Sequence, residues 1–174
     1  SVRAGAPVDP VIRVSTNTVV DYPGGTPPAN IVGSFDAQDS TFNRPVSCAG
    51  LSGVGTAVSY DTITLTNSGA SAATLNIRLA QQGNPSAACG TVIDPVLVEY
   101  AGSFNPAAPL TNCLLFNDDT NGSTDRCPSF TGISIPSGAT RVYVLSTFDN
   151  NAAFDYEVTF AGTTPVTLQT FDIE

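Results

Sequence analysis

The densest run of polar side chains lies at residues 117–125. Asn117, Asp118, Asp119 and Asp125 offer amide and carboxylate oxygens around a glycine turn, and Ca²⁺ takes about six to eight such oxygens in proteins. The spacing is not that of an EF-hand loop, and Asn, Asp and Gly also favour an ordinary solvated turn. The segment is therefore a candidate calcium site, with a solvated turn as the alternative. Calcium is the one cofactor that the sequence indicates.

Two further polar segments are weaker candidates for binding or modification. Asp149, Asn150, Asn151 and Asp155 form a second group of oxygen ligands. Asn121 begins an Asn-Gly-Ser tripeptide, which matches an N-glycosylation acceptor on a predicted surface loop. Chance matches to this tripeptide are common, so the sequence leaves glycosylation at Asn121 open.

The chain contains no His and no Lys, which removes most familiar catalytic arrangements. Without His, a Ser or Cys nucleophile lacks its usual base, and without Lys there is no Schiff base. Asp118 and Asp119 are a conceivable carboxylate pair for glycoside hydrolysis, but they are adjacent in a predicted exposed turn, and no apolar pocket is indicated around them. We expect no catalytic residues and no enzyme activity.

The charge balance excludes a second group of functions. The chain of 174 residues carries 15 acidic residues and six arginines, for a net charge of −9. Nucleic-acid binding requires clustered positive charge, which is missing here. No apolar stretch approaches the roughly 20 residues of a transmembrane helix. We therefore expect neither a nucleic-acid partner nor membrane insertion.

The four cysteines are Cys48, Cys89, Cys113 and Cys127. An even number in a chain rich in Thr, Ser and Gly predicts two disulfides and an oxidising compartment, with four free thiols as the alternative. Of the three possible pairings we favour Cys48–Cys89 with Cys113–Cys127, because the second bond closes a short loop. A chain that begins at Ser1 is expected to follow a removed export signal. The sequence thus predicts a secreted protein, extracellular or at the cell surface.

Alternation of apolar and polar residues recurs along the chain. Thirteen Pro and fifteen Gly interrupt it too often for long helices. Period-two runs predict strands with one buried face, and runs that are apolar on both faces predict central strands. Clusters of Asn, Asp, Gly and Pro separate these runs. The sequence predicts an all-β fold, a single β-sandwich or jelly roll. The half-buried strands are predicted at residues 61–66, 75–79 and 154–160, and the central strands at 96–100 and 141–145.

The first 30 residues differ in pattern from the rest. Two short β-forming runs contain Val11, Ile12, Val14, Val19 and Val20, and a hinge rich in Pro and Gly follows. In one interpretation these runs are the first strands of the same sandwich. In the other, residues 1–30 are an extended N-terminal β arm that is separate from a sandwich at 31–174 and inserts into a neighbouring copy as an added strand. The five apolar residues would then form a subunit interface.

Four segments between about residues 59 and 162 have the order and spacing of strands in a known family. An Asp-x-x-Leu strand at 94–100 is followed by an Asn-Asp-Asp turn at 117–119, by a Gly-Ala-Thr turn and Val-Tyr-Val-Leu strand at 138–145, and by an alternating aromatic strand at 154–160. In this the chain resembles the bacterial pre-peptidase C-terminal domains, which are small secreted β-sandwiches. The first 58 residues and the cysteines lie outside the common pattern. The resemblance implies adhesion, substrate attachment or calcium-stiffened spacing, and no catalysis.

Two functions from different classes follow from these observations. Few charges, abundant Thr, Ser and Asn, and no Lys to block strand edges favour a surface that packs against copies of itself. The leading hypothesis is therefore a secreted structural subunit that assembles into a filament, pilus-like fibre or surface layer by donating its N-terminal strand. The alternative is a monomeric accessory module that binds calcium, a polysaccharide or a cell surface.

Overall fold

The computed structural model of the chain describes residues 12–13, 17–90 and 92–162. In these residues the one helical element is a 3-10 turn at Gly122–Thr124, and no helix there is long and apolar enough to cross a membrane. The remaining elements are strands, short at the beginning of the chain and long after residue 57. They are β1 Ile12–Arg13, β2 Asn17–Asp21, β3 Ile31–Phe35, β4 Thr41–Phe42, β5 Pro45–Ser47, β6 Gly50–Leu51, β7 Val58–Thr66, β8 Ala73–Gln81, β9 Pro95–Ala101, β10 Cys113–Asn117, β11 Ser129–Ile135, β12 Thr140–Thr147 and β13 Phe154–Gly162.

The long strands form two sheets. One has the order β1-β3-β13-β8-β11, and the other has the order β10-β9-β12-β7-β2, with β4 also paired to β7. A separate hairpin joins β5 and β6. The pairs among β7, β9, β10 and β12 are antiparallel, so the end of one strand lies beside the start of its neighbour. The predicted all-β sandwich is confirmed, and the five strands predicted between residues 61 and 160 each lie inside an observed one.

The main core lies between the two sheets. Alternate residues of β7 and β8 are buried, as the period of two in their sequences predicts. Ile63, Leu97 and Leu145 from one sheet pack with Leu75 and Val158 from the other in a single buried cluster. At about 25 cal/mol per Å² of apolar surface, this layer is the main stabilising feature of the sandwich.

A second core covers the outer face of the sheet that contains β9. Val98 and Val144, which point away from the first core, pack with Phe42, and Phe104 and Phe116 lie against them. The chain needs this second layer because β9 and β12 are apolar on both faces. The segment at 36–57 and the loop after β9 therefore act as a cover for the sheet.

The disulfides are Cys48–Cys113 and Cys89–Cys127. The prediction of two disulfides is confirmed, but the favoured pairing is wrong. The fold places the β5–β6 hairpin over the outer face of the sheet, which brings Cys48 to the start of β10. Loop length gave no information about this contact, because it depends on the second core and not on separation along the chain.

The described part of the N-terminal segment pairs with its own sandwich. β2 runs parallel to β7, Val20 is buried in the main core, and Val19 is exposed. Tyr22 is fully buried, and its hydroxyl donates a hydrogen bond to the Thr74 carbonyl. Residues 17–22 thus pair and pack with the sandwich of their own chain, and the division of the chain at residue 30 stays a prediction.

The same pairing bears on the expected subunit interface. β1 pairs with β3 at the edge of the opposite sheet, so the segment follows one edge of each sheet within one molecule. Val20 is buried in the core of its own chain, whereas the sequence analysis placed it at a contact with a neighbouring copy. Val11, Val14 and the side chain of Ile12 lie outside the described residues.

Candidate functional site

Three loops meet at one end of the sheet that contains β9. Asp94 immediately precedes β9, Asp118 and Asp119 immediately follow β10, and Asp149 lies shortly after β12. The antiparallel register places Asn117 beside Leu97 and brings the end of β12 to the start of β9. Residues that are far apart in the chain are therefore neighbours here.

Asp94, Asp118 and Asp119 form a carboxylate cluster at this end. One carboxylate oxygen of each lies within 4.8 Å of the others. Two oxygens bound to one Ca²⁺ at about 2.4 Å can be at most about 4.8 Å apart, so these three oxygens are close enough together to bind one ion. We call these three residues the carboxylate cluster.

Two oxygens of the carboxylate cluster are buried without a hydrogen-bond partner. They are Oδ1 of Asp94 and Oδ1 of Asp118. Burying an ionised oxygen without a partner costs free energy. In proteins such an oxygen usually accepts a hydrogen bond, is protonated or binds a metal ion. The other oxygen of Asp94 accepts a hydrogen bond from the Arg126 guanidinium at 2.7 Å.

The environment disfavours the ionised form of two of these groups. Burial and, to a smaller extent, the neighbouring charge of Asp119 together raise the pKa of Asp118 to about 6, against the lowering effect of Arg44. Burial also raises the pKa of Asp94, against the lowering effect of its hydrogen bond from Arg126. A bound cation would reverse this balance, because it favours the ionised carboxylates.

The arginines near the cluster do not neutralise it. Arg44 is fully buried, lies over the Phe148 ring at 4.1 Å and donates from Nε to the Phe148 carbonyl. Its charge acts on Asp118, Asp149 and Asp94 without a direct ion pair to any of them. With Asp149 the loops carry four carboxylates against Arg44 and Arg126, an excess of two negative charges.

Two of the four residues that the sequence predicts as calcium ligands belong to the carboxylate cluster, and the other two do not. Asp118 and Asp119 lie together as expected, but Asn117 and Asp125 have other partners. Asn117 Oδ1 accepts the Ser129 backbone N–H at 3.1 Å. Reasoning from sequence missed Asp94, which the hairpin pairing of β9 with β10 identifies, because the residue before one strand then faces the residue after the other.

Asp125 holds the second disulfide in place. Its Oδ1 accepts the backbone N–H groups of Cys89 and Cys127, each at 3.0 Å, and its Oδ2 pairs with Arg78 at 3.0 Å. Burial alone would raise the pKa of Asp125, but these donors outweigh it and lower the pKa. Both neighbouring sulfurs are in a disulfide, so this group is a structural support and not a metal site.

The other polar candidates lie apart from the carboxylate cluster. Asn150 uses its side chain to join two loops, accepting the Ala57 N–H and donating to Thr56. Asp155 is exposed on β13. Asn121 is exposed beside the 3-10 turn and makes no side-chain capping bond. Of the second predicted cluster, Asp149 alone contributes to the electrostatics of the carboxylate cluster.

Two more buried carboxylates lie inside the sandwich, and each has a partner. Asp61 accepts a hydrogen bond from the Tyr156 hydroxyl at 2.7 Å, across the space between the sheets. Glu99 accepts a hydrogen bond from the Tyr143 hydroxyl at 3.3 Å and pairs with Arg141 at 3.3 Å. Their bonds lie within the core, so they are structural.

No protein-family model and no curated protein sequence matches the chain. The solved structures that are similar to it in chain trace include a domain of a bacterial collagenase and a lysozyme inhibitor. The pre-peptidase C-terminal domain of collagenase from Bacillus anthracis is 13% identical, with a TM-score of 0.43 over 90% of this chain and 100% of that one. A periplasmic inhibitor of g-type lysozyme from Aeromonas hydrophila is 14% identical, with a TM-score of 0.43 over 85% of this chain and 98% of that one. The family that the sequence resembles is thus represented among these solved structures, and the likeness concerns the fold alone.

Proposed function

We propose that the protein is a secreted accessory module whose carboxylate cluster binds Ca²⁺. The observation that carries the proposal is the pair of buried, unpartnered oxygens on Asp94 and Asp118, within 4.8 Å of an oxygen of Asp119. These are hard oxygen ligands with excess negative charge around them, which suits Ca²⁺. Water would complete the coordination shell.

The position of the cluster gives the ion a mechanical role. Asp94 is fixed by the start of β9 and by Arg126, while Asp118 and Asp119 follow the edge strand β10. An ion held between them would tie the edge strand to the centre of the sheet. The module would then be stiffest where calcium is abundant, as it is outside the cell.

The two disulfides support an exported protein, because such bonds persist in oxidising compartments. The proposal includes no catalytic step. Filament assembly by donation of the N-terminal strand is not part of the proposal, because the described part of that strand pairs with β7 of its own chain.

Thermal unfolding with and without calcium tests the proposal. For an extracellular module with a Kd of about 10⁻⁴ to 10⁻³ M, we expect about 10 mM Ca²⁺ to raise Tm by several degrees over the protein in EDTA. The Asp118→Asn variant should lose this response. Asp155→Asn removes an equal charge from an exposed position and should respond like the wild type.

Three outcomes would contradict calcium binding at this site. The first is a wild-type Tm that does not change with Ca²⁺. The second is an equal rise in the Asp118→Asn variant. The third is an equal rise with Mg²⁺ and Ca²⁺ in all variants, which would indicate general screening of the negative charge.

A further inference from the structure

Arg44 is a buried cation without a carboxylate bound to it. Its side chain is 1% exposed, and an arginine keeps its charge in proteins. In the part of the chain that the structure describes, the ion pairs involve Arg78, Arg126 and Arg141, and Arg44 is in none of them. Burying such a charge costs free energy, and an apolar side chain could fill the same space without that cost. Packing alone therefore does not explain the residue.

A fixed niche holds the Arg44 side chain. The guanidinium carbon lies 4.1 Å from the centre of the Phe148 ring, Nε donates to the Phe148 carbonyl at 2.8 Å, and Nη1 donates to the Pro45 carbonyl at 3.2 Å. A Cβ added at Gly55 would lie 2.9 Å from both Cγ and Cδ of Arg44, so the glycine leaves the room that the arginine stem occupies. The positive charge is thus held at one place in the fold.

That place adjoins the carboxylate cluster. Phe148, which holds the guanidinium, also donates its backbone N–H to the Asp94 carbonyl at 2.8 Å. Two hydrogen bonds therefore connect Arg44 with the backbone of a cluster residue. The carboxylates whose charges act on Arg44 are Asp118, Asp149 and Asp94, with Asp118 first. The guanidinium acts on the cluster through its electric field, since it forms an ion pair with none of these groups.

We infer that Arg44 limits the negative charge of the calcium site, so that the site binds cations more weakly and favours divalent over trivalent ions. This inference rests on the proposed function. The site has four carboxylates and, with Arg126, two arginines, which leaves a net charge of −2. A divalent ion balances that charge. A trivalent ion would leave one positive charge in a partly buried place, which costs free energy.

The charge of the bound ion separates this electrostatic role from a structural one. Repulsion between Arg44 and a bound cation is proportional to the charge of the cation, so it is about one and a half times as large for La³⁺ as for Ca²⁺. Both ions prefer oxygen ligands and are similar in size. Damage to the shape of the site would change the two affinities by the same factor, whereas loss of the Arg44 charge should favour La³⁺.

Calorimetric titration with Ca²⁺ and with La³⁺ tests the inference, at neutral pH in a buffer without phosphate. For Arg44→Gln we expect the Kd to fall about tenfold for Ca²⁺ and about thirtyfold for La³⁺, so the preference for La³⁺ rises about threefold. Arg44→Lys keeps the charge and should keep the preference of the wild type. Arg44→Met repeats the test if the glutamine variant does not fold, because its unbranched side chain suits the same niche.

Ser134→Asp is the matched control for net charge. It changes the net charge of −9 by the same amount as Arg44→Gln does. Ser134 is exposed near the end of β11, whereas the start of that strand contacts Asn117. The control should bind both ions as the wild type does, because exposed charges farther apart than about 10 Å are largely screened.

A preference for La³⁺ that does not rise in the folded Arg44→Gln and Arg44→Met variants would overturn the inference, whether the two affinities increase or decrease together. An equal rise in Ser134→Asp or in Arg44→Lys would also overturn it. These outcomes leave calcium binding by the wild type intact. A wild type that binds neither ion would instead contradict the proposed function, and this inference with it.

Discussion

Asp61 and Asp118 are two aspartates for which burial raises the pKa to about 6, yet their surroundings differ. Asp61 lies between the sheets and receives a hydrogen bond from Tyr156 at 2.7 Å. Asp118 lies at the end of the sheet, has a buried oxygen without a partner and faces two more carboxylates. The pKa is raised for both groups, so the raised pKa does not distinguish them; what differs is that Asp61 has a partner within the chain, whereas one oxygen of Asp118 has none and is free to bind an ion.

Removing the partner of Asp61 is expected to have the largest effect. At pH 7.5, Tyr156→Phe should lower the free energy of unfolding by about 2 kcal/mol, because the buried Asp61 carboxylate loses its hydrogen-bond donor. The cost should be smaller at about pH 4.5, where a group with a pKa of about 6 is protonated. Urea denaturation at the two pH values measures both effects.

Tyr143→Phe is the control for that experiment. It removes the hydroxyl that donates a hydrogen bond to Glu99, but Glu99 keeps Arg141 as a partner at 3.3 Å. The loss of unfolding free energy at pH 7.5 should therefore be smaller than for Tyr156→Phe. Equal costs for the two tyrosine variants, or a Tyr156→Phe cost that is unchanged by pH, would show that the hydroxyl does not act through the charge of Asp61.

Neutralising Asp118 should raise the free energy of unfolding. Its folded-state pKa of about 6 lies above the ordinary aspartate value of 3.8, so its ionised form is less stable in the folded protein than in the unfolded chain. The penalty is absent below about pH 4, develops as the pH rises and is complete above about pH 6. In EDTA at pH 7.5, Asp118→Asn should therefore be about 1 kcal/mol more stable than the wild type, with little gain at about pH 4.5.

Calcium should reverse the order of stability of the wild type and the Asp118→Asn variant. The ion stabilises the wild type and not the variant, so at about 10 mM Ca²⁺ the wild type becomes the more stable of the two. Urea midpoints in EDTA and in Ca²⁺ give the comparison directly. A variant that is less stable than the wild type in EDTA would mean that Asp118 already has a favourable partner.

The sandwich could be predicted from the sequence because its signal is local. The alternation at 61–66 and 75–79 sets which side chains face the core, and Pro and Gly separate the strands. Asp118 and Asp119 were identified for the same reason, since their polarity and turn context are contained in a few residues.

The features that were missed depend on contacts between distant segments. Asp94 joins the carboxylate cluster only through the register of β9 with β10. The Cys48–Cys113 bond depends on the hairpin that covers the outer face of the sheet. Val19 and Val20 have the same β propensity, and only pairing with β7 determines that one is exposed and the other buried. A local pattern contains none of this information.

Calorimetric titration of Ca²⁺ into the metal-free protein at pH 7.5 tests the central claim most directly. The account predicts one ion per chain, with a Kd of about 10⁻⁴ to 10⁻³ M that Asp94→Asn and Asp118→Asn each weaken at least about tenfold, while Asp155→Asn leaves it unchanged. Near pH 6 binding should also release protons, because the ion requires Asp118 in its ionised form. A wild type that takes up no calcium, or an Asp118→Asn variant that binds as tightly as the wild type, would contradict it.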